Sequence, residues 1–353
     1  VVLCTPTAAP PIWLARAHPG ILPVDQNGQV LHEGTRRAVC LNSEVFWDYS
    51  KRIVEKLAGT LGKHEQLIAW QIDNGLGGHF TEEAFNDDTR RDWHFWLEAK
   101  YETVEKLNER MGLRHWGQLV NSWSEVPMPM KAPTVHNPAL MLDWRRFCSD
   151  TIVQYVQMQA DLLREMTPGI PLTTNLRPLI HRFDHFDLAD VLDFVSIEST
   201  GAVRARASEL ACEIDMLRSL KKTGVKTPGG GEGFWVMEQK AGNVNWQEVN
   251  SLVRPGVLRM FTYQLVSRGA EAVLYFRWRQ PRFGSEQFHG AILPHAVHED
   301  SPVYKEVAQV GEELKLLAPA IKDTRVKPEV CILFSHDNEW SLQYPLQPNA
   351  HFK

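Results

Sequence analysis

Glu238 closes the apolar run Phe234-Trp235-Val236-Met237, and Trp246 follows it. The next apolar run brings Phe276, Arg277, Trp278 and Arg279, and Gly284-Ser285-Glu286-Gln287-Phe288-His289 adds a second carboxylate and an imidazole. Acids set among aromatic rings suit a carbohydrate, because apolar sugar faces stack on rings while carboxylates take the hydroxyls. Twelve tryptophans are a heavy load for this length and point the same way. A plainer reading makes Glu238 one half of a rim salt bridge with Arg277. The second candidate segment is Ala69-Trp70-Gln71-Ile72-Asp73-Asn74-Gly75. Its plain reading is an Asn-Gly turn beside a buried, hydrogen-bonded Asp73.

Two other clusters carry less. His289, His295 and His298 lack the HExxH spacing of a zinc site and read as one substrate contact and two loop histidines. Gly229-Gly230-Gly231-Glu232-Gly233 precedes a strand and has no Gly-Lys-Ser/Thr after it, which argues against a phosphate loop.

These residues need elements to hold them. Short apolar runs at Val1–Cys4, Leu67–Asp73, Ile170–Asn175, Phe194–Glu198, Phe234–Gln239 and Ala272–Trp278 have the character of buried parallel strands. Helical spacing separates them. Glu44–Leu61 places Phe46, Tyr49, Ile53 and Leu57 on one stripe, and Arg90–Met111 reads as one helix. Asp143–Met166, Ala207–Lys222, Gly256–Ser267 and Val303–Leu317 complete the set. Strands alternating with helices predict βαβ units and a parallel sheet. Polar residues collect where the strands end, as in the site of a (β/α)8 barrel, and no glycine turn of the doubly wound type follows the first strand. The expected fold is therefore α/β, a TIM (β/α)8 barrel. With six strands counted where a barrel has eight, two βα units are expected ahead of Val1. Pro328–Phe334 reads as the first strand of another α/β domain, so the expected division is a barrel domain over 1–322 and the start of a second domain over 323–353.

Composition narrows the class. The chain has 353 residues, is 43% hydrophobic and carries a net charge of −5, which disfavours nucleic acid or an anionic membrane as a partner held by bulk charge. No apolar run is long enough for a transmembrane helix. Five scattered cysteines without a CxxC suit a reducing compartment, and a cytoplasmic location is the expectation.

Three groups of residues together resemble glycoside hydrolase family 42, the β-galactosidases. They are Trp70-Gln71-Ile72-Asp73-Asn74, then Val236-Met237-Glu238-Gln239 with Trp246, then Tyr275 to Gln280 with Glu286-Gln287-Phe288-His289. The opening Thr5 to Leu14 and Arg36-Arg37 before Cys40 fit as well, so the resemblance covers essentially the whole chain. It implies a TIM barrel, here from its third strand to its eighth, followed by a flavodoxin-like domain that forms homotrimers. It also implies retaining hydrolysis of terminal β-D-galactosides without a cofactor. Glu238 is then the nucleophile, and Arg36, Asn74, Trp246, Phe276, Glu286 and His289 hold the galactosyl ring. The family pattern continues Asn-Glu where this chain has Asn74-Gly75, so Gly75 occupies the acid/base position. Glu82 and Glu83 are the nearest carboxylates downstream. At the end of the fourth of these runs, Ser196-Ile197-Glu198-Ser199-Thr200 stands where the family has Ser-Trp-Asp-Asn-Tyr, with Thr200 at the tyrosine. Of a cysteine zinc cluster found in some members only Cys40 is present, so no zinc is expected. The departures admit two alternatives: an inactive galactoside-binding protein, or activity on α-L-arabinopyranosides.

Overall fold

The computed structural model describes residues 1–79, 82–177, 181–199, 207–221, 224–296 and 299–345. Its strands are β1 (Val2–Cys4), β2 (Ala69–Gln71), β3 (Leu172–Thr173), β4 (Asn175–Leu176), β5 (Ser196–Ser199), β6 (Phe234–Lys240) and β7 (Ala270–Phe276). They pair in chain order and always in parallel, β1-β2-β3 and β4-β5-β6-β7. Strands β3 and β4 flank Thr174 and are two parts of one run, so six strands follow one another as the wall of a barrel does. All six strands predicted for the barrel are found within a few residues of their expected limits.

Helices fill the connections: α1 (Ile12–Ala17), α2 (Glu44–Leu61), α3 (Asp87–Tyr101), α4 (Val104–Met111), α5 (Pro138–Met166), α6 (His185–Val191), α7 (Ala207–Arg218), α8 (Val257–Ser267), α9 (Pro302–Ile321) and α10 (His336–Leu342). Helix α2 begins where Ser43 accepts the amide of Phe46, with Glu44 in the first turn, which suits the positive end of the helix dipole. It buries Phe46, Ser50, Val54 and Ala58, while Tyr49 and Leu57 pack at the margin and Ile53 is exposed. The predicted stripe is therefore rotated by part of a turn. The predicted helix Arg90–Met111 is two helices. Glu102 has φ of 65° and ends α3, and extended Thr103 then caps α4 by accepting from the amide of Lys106.

One apolar core lies between the sheet and helices α2 and α5, around Trp70, Ile72, Val54, Tyr155 and Leu163. A second gathers Trp93, Leu97, Leu107, Trp144 and Phe147 from α3, α4 and α5. Burying one such side chain contributes about 1.5–3 kcal/mol. Trp70, Trp93 and Trp144 are thus core residues, which corrects the reading of the tryptophan load as a sugar-site feature.

The run 328–334 lies in no strand, and Val330, Ile332 and Leu333 are exposed. An apolar run becomes a strand only when a neighbouring strand takes its backbone groups, and none of the described strands does so. Beyond it, α10 docks against the helical layer. Trp340 Nε1 donates to the carbonyl of His181 at 2.8 Å, and Arg146 grips Asp337 with two bonds of 2.8 and 2.7 Å. His181 bridges Glu213 and Glu339 at 2.9 and 2.7 Å, and His336 lies buried against His185.

This docking is pH-dependent. Burial opposes charge on His181, but its bonds to Glu213 and Glu339 outweigh that and raise its pKa to about 9. Its stabilisation is complete below about 6.5 and fades as pH rises through about 9. Burial, and then the charge of His181, hold His336 down at about 4. The unfolded chain therefore takes up that proton first, and stability falls as pH drops from about 6.5 towards 4. Urea unfolding is expected to show falling stability on both sides of about pH 6.5. His181→Gln should remove the alkaline loss and reduce the acid one, leaving the part that burial of His336 causes.

Candidate active site

The turn after β2 is fixed by Asp73. This residue is buried at a φ of 55°, a region that Asp tolerates better than most side chains. Its carboxylate forms a buried ion pair with Arg37, accepts from Thr7 Oγ1 at 2.7 Å and from the Asn74 amide at 2.6 Å. Its own amide donates to Thr5 Oγ1 at 2.7 Å, and Gln71 Nε2 donates to its carbonyl at 3.0 Å. Removing one partner of such a buried pair typically costs about 3–5 kcal/mol. The plain reading of Asp73 holds, and its consequence is that Asn74 is rigidly presented. Arg36 Nη2 donates to the Asn74 carbonyl at 3.0 Å and also to its Oδ1, so the amide nitrogen is turned outward. Asn74 Nδ2 then donates to Glu238 Oε1 at 2.7 Å.

Glu238 lies near the carboxyl end of β6, where the ladder with β5 shifts at Ile197/Glu198 and pairs Glu198 with Glu238. Irregularities of this kind re-aim side chains at sheet rims. Asn175 Nδ2 reaches both carboxylates, 3.3 Å from Glu238 Oε1 and 3.4 Å from Glu198 Oε2. Arg177 Nε stands 3.3 Å from Glu198 Oε2. Burial first, and the Glu198 charge second, push Glu238 up to about 7, against the Asn74 hydrogen bond and the Arg36 charge. A carboxylate with acceptor capacity left, held by amides rather than by a bonded cation, retains nucleophilic lone pairs.

The structure brings Arg36, Asn74, Gly75 and Glu238 into one constellation. Gly75 is buried at φ 68°, and its amide donates to Asn175 Oδ1 at 3.1 Å. Phe276, the last residue of β7, sets its ring edge-on to His289 at 5.1 Å. His289 Nδ1 donates to Asn245 Oδ1 at 2.8 Å, leaving a buried Nε2 without a protein partner. Burial lowers its pKa, so the ring is the neutral acceptor there. Glu286 pairs with Arg277 at 3.1 Å, so the plainer reading of a Glu238–Arg277 bridge does not hold. The Glu286 charge still acts on Glu238. Trp246 is 49% exposed, and its one ring contact among the described residues is His79, edge-on at 5.7 Å, so it stands at the margin of the constellation.

Some expected residues lie elsewhere. Glu82 is buried in an ion pair with Arg182 at 3.0 Å, and Glu83 pairs with Arg145. Neither is among the principal charges acting on Glu238, which are those of Glu198, Arg36 and Glu286. His295 bonds the carbonyl of Pro281 at 2.6 Å in a loop. Thr200 and His298 lie outside the described residues. Cys40 is buried with its sulfur 3.2 Å from Thr89 Oγ1. Sequence reasoning marks Asn175 as one of the polar strand ends without giving it a role, and passes over Arg177.

Successive parallel strands whose carboxyl ends gather carboxylates, amides and rings define a barrel-type α/β protein with a polar, sugar-compatible site. The glycoside hydrolase family 42 model, described as beta-galactosidase, matches residues 1–317, and the chain belongs to that family. It is 36% identical over 348 residues to the beta-galactosidase bgaB of Geobacillus kaustophilus, covering 98% of this chain and 50% of that protein. A beta-galactosidase of Thermus thermophilus is 36% identical over 361 residues, covering 99% of this chain and 55% of that protein. Among solved structures, the beta-galactosidase from Bacillus circulans sp. alkalophilus superposes with a TM-score of 0.91 at 32% identity, over 99% of this chain and 51% of that one. The chain thus spans about half the length of the relatives it matches. No described helix is long and apolar enough to cross a membrane.

Proposed function

We propose that this protein acts on terminal β-D-galactosides as a retaining glycoside hydrolase, with Glu238 as nucleophile and with proton transfer impaired by Gly75. The observation that carries the reading is Glu238 itself, a strand-end carboxylate oriented by the amides of Asn74 and Asn175 in a family whose named relatives are beta-galactosidases. In the first step a Glu238 oxygen attacks the anomeric carbon while the bond to the leaving oxygen breaks. In the second, water displaces Glu238 from that carbon, which restores the carboxylate and releases galactose. Each step ordinarily uses a second carboxylate, as acid and then as base, and a glycine at 75 has no group to serve. Asn74 and Arg36 would take hydroxyls of the ring, Phe276 and Trp246 its apolar faces, and His289 Nε2 would accept from a hydroxyl beside Glu286.

Proton NMR during hydrolysis of 2,4-dinitrophenyl β-D-galactoside tests the stereochemistry. β-Galactose should appear first and α-galactose only later by mutarotation, whereas α-galactose first would mean an inverting route. Gly75 also favours a second reading, a galactoside-binding protein without turnover, which predicts saturable galactose binding and no dinitrophenol release. An α-L-arabinopyranoside lacks only the hydroxymethyl group and fits the same contacts. For the whole protein we propose a closed barrel as the catalytic domain, with 1–322 belonging to it. The segment 323–353 then leads into a flavodoxin-like domain that forms homotrimers, in a cytoplasmic enzyme. Relatives about twice as long are consistent with further chain beyond the part described.

A further inference from the structure

Glu198 takes no part in the steps above, yet it is built into them. It sits opposite Glu238 in the β5–β6 register, at the point where that ladder shifts. One amide, Asn175 Nδ2, reaches both carboxylates, and Arg177 holds Glu198 from its other side. The side chain of Glu198 is 11% exposed, so water screens its charge poorly. Among the described residues, few other groups face Glu238. Arg36 reaches it from the loop ahead of α2 through Asn74, and the Glu286–Arg277 pair from beyond β7. The Cys4 thiol lies on β1. The imidazole of His79, on the loop after β2, is held neutral by burial first and then by Arg36, Arg177 and Arg37, against the Glu198 charge. Asp73, on the turn after β2, is taken up by Arg37 and Thr7.

We propose that Glu198 is a positioning residue for this reaction: with Arg177 and the shared Asn175 amide, it sets the pH above which Glu238 is available as a nucleophile. The inference rests on Glu238 being the nucleophile. A like charge held next to a carboxylate favours its protonated, non-nucleophilic form, and a cation held on that like charge moderates the effect. Glu198 and Arg177 therefore act on Glu238 in opposite senses.

The test is the pH profile of kcat/KM for 2,4-dinitrophenyl β-D-galactoside, which needs little acid help and reports ionisations of the free enzyme. Glu198→Gln should move the acid limb down by about one pH unit, and Arg177→Gln should move it up. Glu198→Asp keeps the charge and should leave the limb where it is in the native enzyme. A merely structural residue would lower activity without moving the limb in opposite directions. If the limb stays in place in both Glu198→Gln and Arg177→Gln, or moves the same way in both, the inference is overturned. Turnover surviving in Glu238→Gln would instead overturn the nucleophile assignment, and this inference with it.

Discussion

Glutamine at position 238 is expected to lower kcat for 2,4-dinitrophenyl β-D-galactoside by about 10⁴–10⁶-fold, the range seen when a nucleophilic group is removed from a preorganised site. The substitution is nearly isosteric. The side-chain carbonyl can still accept from Asn74 and Asn175, whose bonds to Oε1 are 2.7 and 3.3 Å, so the local packing has no reason to change. What is lost is the anion that attacks carbon. Galactose should still bind, because Arg36, Phe276 and His289 are untouched. A collapse in kcat with little change in galactose affinity is the expected signature, measured by single-turnover kinetics and calorimetry. A rim salt-bridge role for Glu238 would give only a modest change. That role already lacks its partner, since Arg277 pairs with Glu286.

How much of this was readable in advance depended on distance along the chain. Helix α2 was predicted to the residue, because Ser43 and Glu44 start it and eighteen residues of periodicity carry it. The break at Glu102 was hidden, since a left-handed residue between two apolar repeats leaves the period nearly unbroken. Helices α6 and α10, seven residues each, are too short to declare themselves and hold only by tertiary docking. The site followed the same rule. Glu238 and Asn74 were marked by their own strand ends. The link between Asn175, Glu198 and Glu238 arises from register across three strands, which no local pattern encodes. The tryptophans misled because a ring that stacks on sugar and a ring that fills a core have the same composition.

Azide should accelerate turnover of the same dinitrophenyl galactoside and yield β-galactosyl azide, because this anion attacks the galactosyl-enzyme without needing a base. General acid–base catalysis ordinarily contributes 10²–10⁴-fold, about 3–5.5 kcal/mol of barrier, and that is the scale of deficit expected with glycine at 75. Natural galactosides with poor leaving groups bear it in the first step as well. Gly75→Glu should therefore raise turnover of lactose by about 10²-fold or more, raise that of the dinitrophenyl substrate less, and abolish the azide effect. The gain is opposed by two local costs. At φ 68° a side chain costs roughly 1–2 kcal/mol, and a Cβ there would stand 3.1 Å from Arg36 Nη2. Arg36 must then give by a few tenths of an ångström while keeping its hold on Asn74. Gly75→Ala separates the contributions, since it carries the same strain without a proton to transfer. If alanine and glutamate lower stability alike but only glutamate restores lactose turnover, the missing group is the acid/base carboxylate. If native turnover is rapid without azide, another residue already does that work, and its pH profile will identify it.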